Sequence, residues 1–124
     1  MRAILSGVGV AIDLFPAGQT AAEFVRIAES EPIRISHAGS EVVRQMPYEF
    51  PGAGAILPRA KNFVFPDGPC VLHIEGPSEC VVFLKGWLQE DGKETQPLLG
   101  WVRCGHECDF TKMIYVSLKG GQSC

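Results

Sequence analysis

The run Cys70-Val71-Leu72-His73-Ile74-Glu75-Gly76-Pro77-Ser78-Glu79-Cys80-Val81-Val82-Phe83-Leu84 sets the architecture. Cys70, Leu72 and Ile74 share one parity while Val71, His73 and Glu75 share the other, the period of a half-buried strand. Gly76-Pro77-Ser78-Glu79 breaks that pattern, and a second apolar run begins at Cys80. The sequence therefore predicts two strands joined as a hairpin. With Gly76 to Glu79 as the loop, Glu75 faces Cys80 and Cys70 faces Lys85. Each cysteine then packs as a small apolar side chain, and no bridge joins them.

The same idiom extends in both directions. Upstream, Val8, Val10, Ile12 and Leu14 fall on one parity before Pro16-Ala17-Gly18 interrupts them. Ile33 and Ile35 alternate with Arg34 and Ser36, His37-Ala38-Gly39-Ser40 reads as a turn, and Val42 to Met46 follows. Residues 47 to 59 hold three prolines and two glycines, which predicts an extended loop. Asn62 to Phe65 is a short strand closed by Pro66-Asp67-Gly68-Pro69. Downstream, Leu84 to Gln89 meets the turn sequence Glu90-Asp91-Gly92-Lys93. Leu98 to Arg103 is a further strand, which Pro97 places at an edge or after a longer loop. Met113 to Leu118 is the last.

One segment reads two ways. Ala21, Phe24, Val25 and Ala28 fit one helical face with a Thr20/Glu23 capping box, yet Val25 and Ile27 also alternate as in a strand. Eight or nine short strands at roughly ten-residue intervals predict an all-β chain, a single-domain β-sandwich or jelly-roll-like barrel. It spans residues 1–118, and residues 119–124 form a flexible tail.

Composition narrows the function. The chain has 124 residues, of which 46% are hydrophobic and 20% charged, which fits one globular domain. A net charge of −3 lacks the electrostatic footprint of a nucleic-acid binder. Asp13 and Pro16 interrupt the N-terminal apolar segment, so neither a signal peptide nor a membrane span is expected. The odd set of five cysteines is accordingly expected to stay as free thiols in a reducing cytoplasm.

The densest chemical cluster is Cys104-Gly105-His106-Glu107-Cys108. Cys104, His106 and Cys108 offer the sulfur and nitrogen donors that zinc prefers. On a straight strand Cys104 and Cys108 would lie ~13 Å apart, so shared coordination needs a bend at Gly105 and a fourth ligand from elsewhere. With the same bend, an oxidising medium would permit a Cys104–Cys108 disulfide. His37, His73 and His106 are the available bases, but no nucleophile-elbow sequence accompanies them. Glu75, Glu79, Glu90 and Asp91 sit at strand ends, where charges keep loops solvated. No glycine cluster forms a phosphate loop. Phe63, Phe65, Phe83, Trp87 and Trp101 mostly alternate with apolar neighbours and are expected in the core. No enzyme signature and no resident cofactor follow from these residues.

Leu14-Phe15-Pro16-Ala17-Gly18, Glu23-Phe24-Val25-Arg26-Ile27 and Pro32-Ile33-Arg34-Ile35 with Gly39 together resemble small accessory virion proteins of bacteriophages. In these an aliphatic-Pro-x-Gly turn precedes paired strands. Asn62-Phe63-Val64-Phe65, leading into Val71-Leu72-His73-Ile74 and Val81-Val82-Phe83-Leu84, extends the likeness over residues 8 to 86. The resemblance implies a compact β domain used repetitively as a decoration, spike or head–tail component. It also implies a strand for Thr20–Ser30, and it supplies no catalytic residues. The expected function is that of a non-enzymatic virion structural protein, assembled in the host cytoplasm, homo-oligomeric, and in contact with the major capsid protein or another virion component. Residues 47 to 59 and the tail after Leu118 are candidate contact arms. Two other readings stand beside it. Trp87 and Gly100-Trp101-Val102 suggest a metal-stabilised SH3-like binding module. His73 and Glu75, on one face two residues apart, suggest a cupin-like metal enzyme.

Overall fold

The computed structural model describes residues 1–12, 21–50 and 62–113. They form eight strands in two four-stranded sheets in which every pair is antiparallel. The strands are β1 (Arg2–Ile12), β2 (Ile33–His37), β3 (Ser40–Gln45), β4 (Phe63–Val64), β5 (Val71–Glu75), β6 (Cys80–Glu90), β7 (Lys93–Arg103) and β8 (Glu107–Asp109). The first sheet has the order β4-β1-β6-β7 and the second β3-β2-β5-β8. The expected all-β sandwich is the observed architecture.

Alternation decides which side chains meet between the sheets. Leu5, Val8, Val82, Leu84, Leu98 and Val102 come from the first sheet, and Ile33, Ile35, Leu72 and Ile74 from the second; all are essentially inaccessible to solvent. At ~25 cal/mol per Å2 of apolar surface, this burial is what holds the two layers together. Phe65 and Phe110 fill one end of the layer with an edge-on ring contact, their centroids 6.3 Å apart.

The β6–β7 hairpin is the longest feature of the fold. Asp91 and Gly92 form its two-residue turn with φ of 51° and 77°, the left-handed pair that matches the twist of the flanking strands. β7 runs unbroken through Pro97, which stands opposite Trp87. Among the described residues β7 is an edge strand, so the missing proline N–H costs no ladder bond.

Two expectations are corrected. β5 and β6 do not pair as a hairpin: β5 lies between β2 and β8, whereas β6 lies between β1 and β7. Gly76-Pro77-Ser78-Glu79 carries the chain from one sheet to the other. Both strands have an apolar face, and the fold presents those faces to each other across the sandwich rather than placing them side by side. Cys70 and Cys80 are indeed unbridged thiols, but because their strands belong to different sheets. Second, Ala21–Ala28 is a helix, α1, and not the strand that the resemblance implied. It buries Ile27 and Ala28 and leaves Phe24 and Val25 exposed. A Glu23–Arg26 ion pair one turn apart supports it. Ser30 closes its end by donating from N–H and Oγ to the Ile27 carbonyl, at 3.2 and 2.9 Å.

The segment after β7 also changes sheets. Gly105, at φ 96°, turns the chain so that β8 pairs with β5 through His73↔Glu107, Leu72↔Cys108 and Val71↔Asp109. A 3-10 turn over Phe110–Lys112 follows. Thr20, residues 51–59, most of the Met113–Leu118 strand and the 119–124 tail lie outside the described residues. No described helix is long and apolar enough to cross a membrane.

Candidate contact face

The outward faces of the two sheets differ in character. On the second sheet Arg34 pairs across the ladder with Glu75, and His73 with both Ser36 and Glu107. Arg34 and Glu75 form an ion pair, His73 Nε2 lies 3.2 Å from Glu107 Oε2, and Arg44 Nε lies 3.2 Å from Glu41 Oε2. This is a solvated polar face whose exposed ion pairs contribute little to stability.

The first sheet is apolar outside as well as inside. Val82, Leu84 and Leu88 of β6 belong to the core, so Val81, Phe83, Lys85 and Trp87 point the other way. The register places Phe83 opposite Trp101, Trp87 between Ile4 and Pro97, Leu99 opposite Lys85, and Val64 opposite Ile4. Ile4 is only 4% exposed although it does not belong to the inter-sheet core, so it is covered from the outer side. Phe83, Trp87 and Trp101 are each partly exposed, and Val64 is 48% exposed. Lys85 and Arg103 are the cationic residues of the β6 and β7 portions of this surface.

The expectation that the five singled-out aromatics pack in the core is thereby corrected. Phe65 does so; Phe63 is exposed, and Phe83, Trp87 and Trp101 face outward. Lys85 carried the signal. It shares the parity of Phe83 and Trp87, and a lysine on that parity marks it as the side away from the core.

The sequence-derived metal ligands are dispersed. Cys104 is buried at the end of β7, His106 is exposed in the turn, and Cys108 on β8 is disulfide-bonded. Among the described residues no three His, Cys, Asp or Glu side chains are grouped to hold a metal ion, so Cys104, His106 and Cys108 do not converge. The free-thiol expectation holds for Cys70, Cys80 and Cys104 and fails at Cys108. Burial pushes the thiols up, Cys70 and Cys104 to about 12 and Cys80 to about 11.

His73 and Glu75 do share the outward face of β5, as the cupin reading requires. Together with Ile74, Gly105, His106 and Glu107 they line a shallow cavity of about 310 Å3. Both are exposed, however, and each is engaged with an oppositely placed side chain, Glu107 or Arg34. Of the candidate arm at residues 47 to 59, only Pro47–Phe50 is described: Pro47 and Phe50 are buried and Tyr48 is exposed. No family model matches the chain, and neither a curated protein nor a solved structure matches it significantly.

Proposed function

We propose that this chain is a non-enzymatic structural protein of a bacteriophage particle, a β-sandwich that works by repeated contact. Copies associate with one another and dock on the capsid shell or a neighbouring virion component, after assembly in the host cytoplasm. The observation that carries this reading is the outward apolar surface of the first sheet, where the partly exposed Phe83, Trp87 and Trp101 lie on adjacent strands with Leu99 and Val64 on the same face. The exposed parts of these rings, with the 48% exposed Val64, leave apolar surface on this sheet for a partner to cover. The resemblance in residues 8 to 86 supplies the particle context.

Native mass spectrometry tests the reading on the reduced chain without chelator. A metal-free symmetric oligomer is expected, and Trp101→Lys should convert it to monomer by placing an unpaired charge in the interface. A wild-type monomer that stays monomeric at high concentration would overturn self-association. The same outward aromatics would also suit a peptide-binding module, and a monomer that captures an apolar peptide through Trp87 would favour that second reading.

A further inference from the structure

Cys80 and Cys104 face each other one step beyond the last pair of the β6–β7 ladder. Val82↔Val102 and Val81↔Arg103 lead to them in register, and the Cys104 N–H donates to the Cys80 carbonyl at 3.1 Å. Residues paired in this way in an antiparallel ladder have Cα atoms about 5.5 Å apart, within the 4.4–6.8 Å that a disulfide spans. Both side chains point into the core, since each belongs to the buried cluster with its i±2 neighbour, Val82 or Val102. Both are free thiols.

We propose that Cys80 and Cys104 are a dithiol that a peroxide oxidises to an intramolecular cross-strand disulfide. One thiolate attacks a peroxide oxygen, breaking the O–O bond, to give a sulfenic acid and hydroxide, which takes up a proton as water. The facing thiolate then attacks the sulfenic sulfur, the S–S bond forms, and the hydroxyl leaves as a second water. Two thiols and hydrogen peroxide thus yield one disulfide and two waters, the cysteines losing two electrons and the peroxide gaining them.

The surroundings suit this site. The pair stands where the ladder opens, because the Cys80 N–H turns back to the Pro77 carbonyl at 2.9 Å and Gly105 turns the chain at φ 96°. Cys80 is also paired with Ile12 of β1, and the Gly105 N–H donates to the Ile74 carbonyl at 2.8 Å, so the two cysteines are held facing each other. Gly76 packs against Cys104: a Cβ at that position would lie 3.1 Å from Cys104 Sγ and 2.7 Å from Ile33 Cδ1. Burial keeps both groups largely protonated at neutral pH, which slows the attack, and it excludes a bulky thiol adduct in favour of a small oxidant and an internal product. Cys70 does not compete. It precedes β5 at the end opposite Gly76, ~20 Å along an extended strand. Cys108 is already disulfide-bonded.

The test treats the full folded chain with hydrogen peroxide, alkylates remaining thiols, and maps the peptides without reduction. The expected result is a Cys80–Cys104 linked peptide, loss of two hydrogens from the intact mass, and Cys70 recovered in its alkylated form after unfolding. Cys104→Ser should stop at a sulfenic acid on Cys80 that a dione reagent traps, whereas Cys70→Ala should give the linkage unchanged. If Cys104→Ser does not fold, the wild-type map and the Cys70→Ala control decide alone. Sulfinic or sulfonic acid at either position, linkage through Cys70, or recovery of both thiols after prolonged exposure would overturn the proposal.

Discussion

Phe83 on β6 stands directly across the ladder from Trp101 on β7, on the face of the first sheet turned away from the core. One residue away, Val82 points inward and is wholly buried. The two neighbours therefore report on different parts of the account. Val82→Ala removes core contacts and should cost about 2 kcal/mol in urea unfolding. Phe83→Ala removes a cross-strand pair on the outer surface and should cost the dilute monomer less than about 1 kcal/mol. A larger loss at Phe83 than at Val82 would mean that the outer face is sealed within the monomer.

Gly76 is the position where the chain leaves the second sheet. Gly76→Ala would push a methyl group toward Ile33 Cδ1 and Cys104 Sγ. The expected destabilisation is about 1–3 kcal/mol, as for overpacking. Thermal denaturation checks it, and an unchanged melting temperature would contradict the close approach of the two sheets there.

Asp109 sits at the start of the last 3-10 turn. Its Oδ1 accepts hydrogen bonds from the Thr111 hydroxyl at 2.6 Å, the Thr111 N–H at 3.0 Å and the Cys70 N–H at 3.4 Å. Burial raises its pKa, but these hydrogen bonds to the charged form outweigh it and leave the carboxyl lower than usual. A lowered folded-state value gives stability that is present above about pH 4 and lost as pH falls through the folded pKa. Asp109→Ala should cost about 1 kcal/mol at neutral pH. It should also flatten this portion of the acid limb of a melting-temperature profile; equal acid limbs would contradict the assignment.

The three buried thiols act at the opposite end of the scale. Their folded-state values, about 11 to 12, stand above the ordinary thiol value. Their contribution is complete below the unfolded pKa, near 9, and is lost as pH rises toward the folded values. Stability should thus be insensitive to these groups at neutral pH and fall steeply above about pH 9. Cys70→Ala should make that alkaline fall shallower in a chemical-denaturation series.

Period-two patterning made the strands legible, since Leu72/Ile74 and Ile33/Ile35 have no other way to bury alternate residues. Asp91-Gly92 specified its own turn. Sheet membership was hidden, because Gly76-Pro77-Ser78-Glu79 has the composition of a hairpin loop and of a crossing between layers alike. α1 was ambiguous for a related reason. Its eight residues bury only Ile27 and Ala28, too little apolar face for the helical period to win over the strand period. The outer aromatic face was readable only through Lys85, whose parity assigns Phe83 and Trp87 to the side opposite Val82 and Leu84. The disulfide at Cys108 left no trace in spacing.

Both tryptophans of the chain, Trp87 and Trp101, lie on the proposed contact face. Their emission therefore reports that surface without a label. The measurement that tests the central claim most directly is the tryptophan emission spectrum over a wide dilution series, with acrylamide quenching at each concentration. Association through this face predicts blue-shifted, protected emission at high concentration that moves to the red and becomes quenchable on dilution. Emission and quenching that stay constant, while the oligomeric mass changes, would show that assembly uses a different surface and would contradict the account.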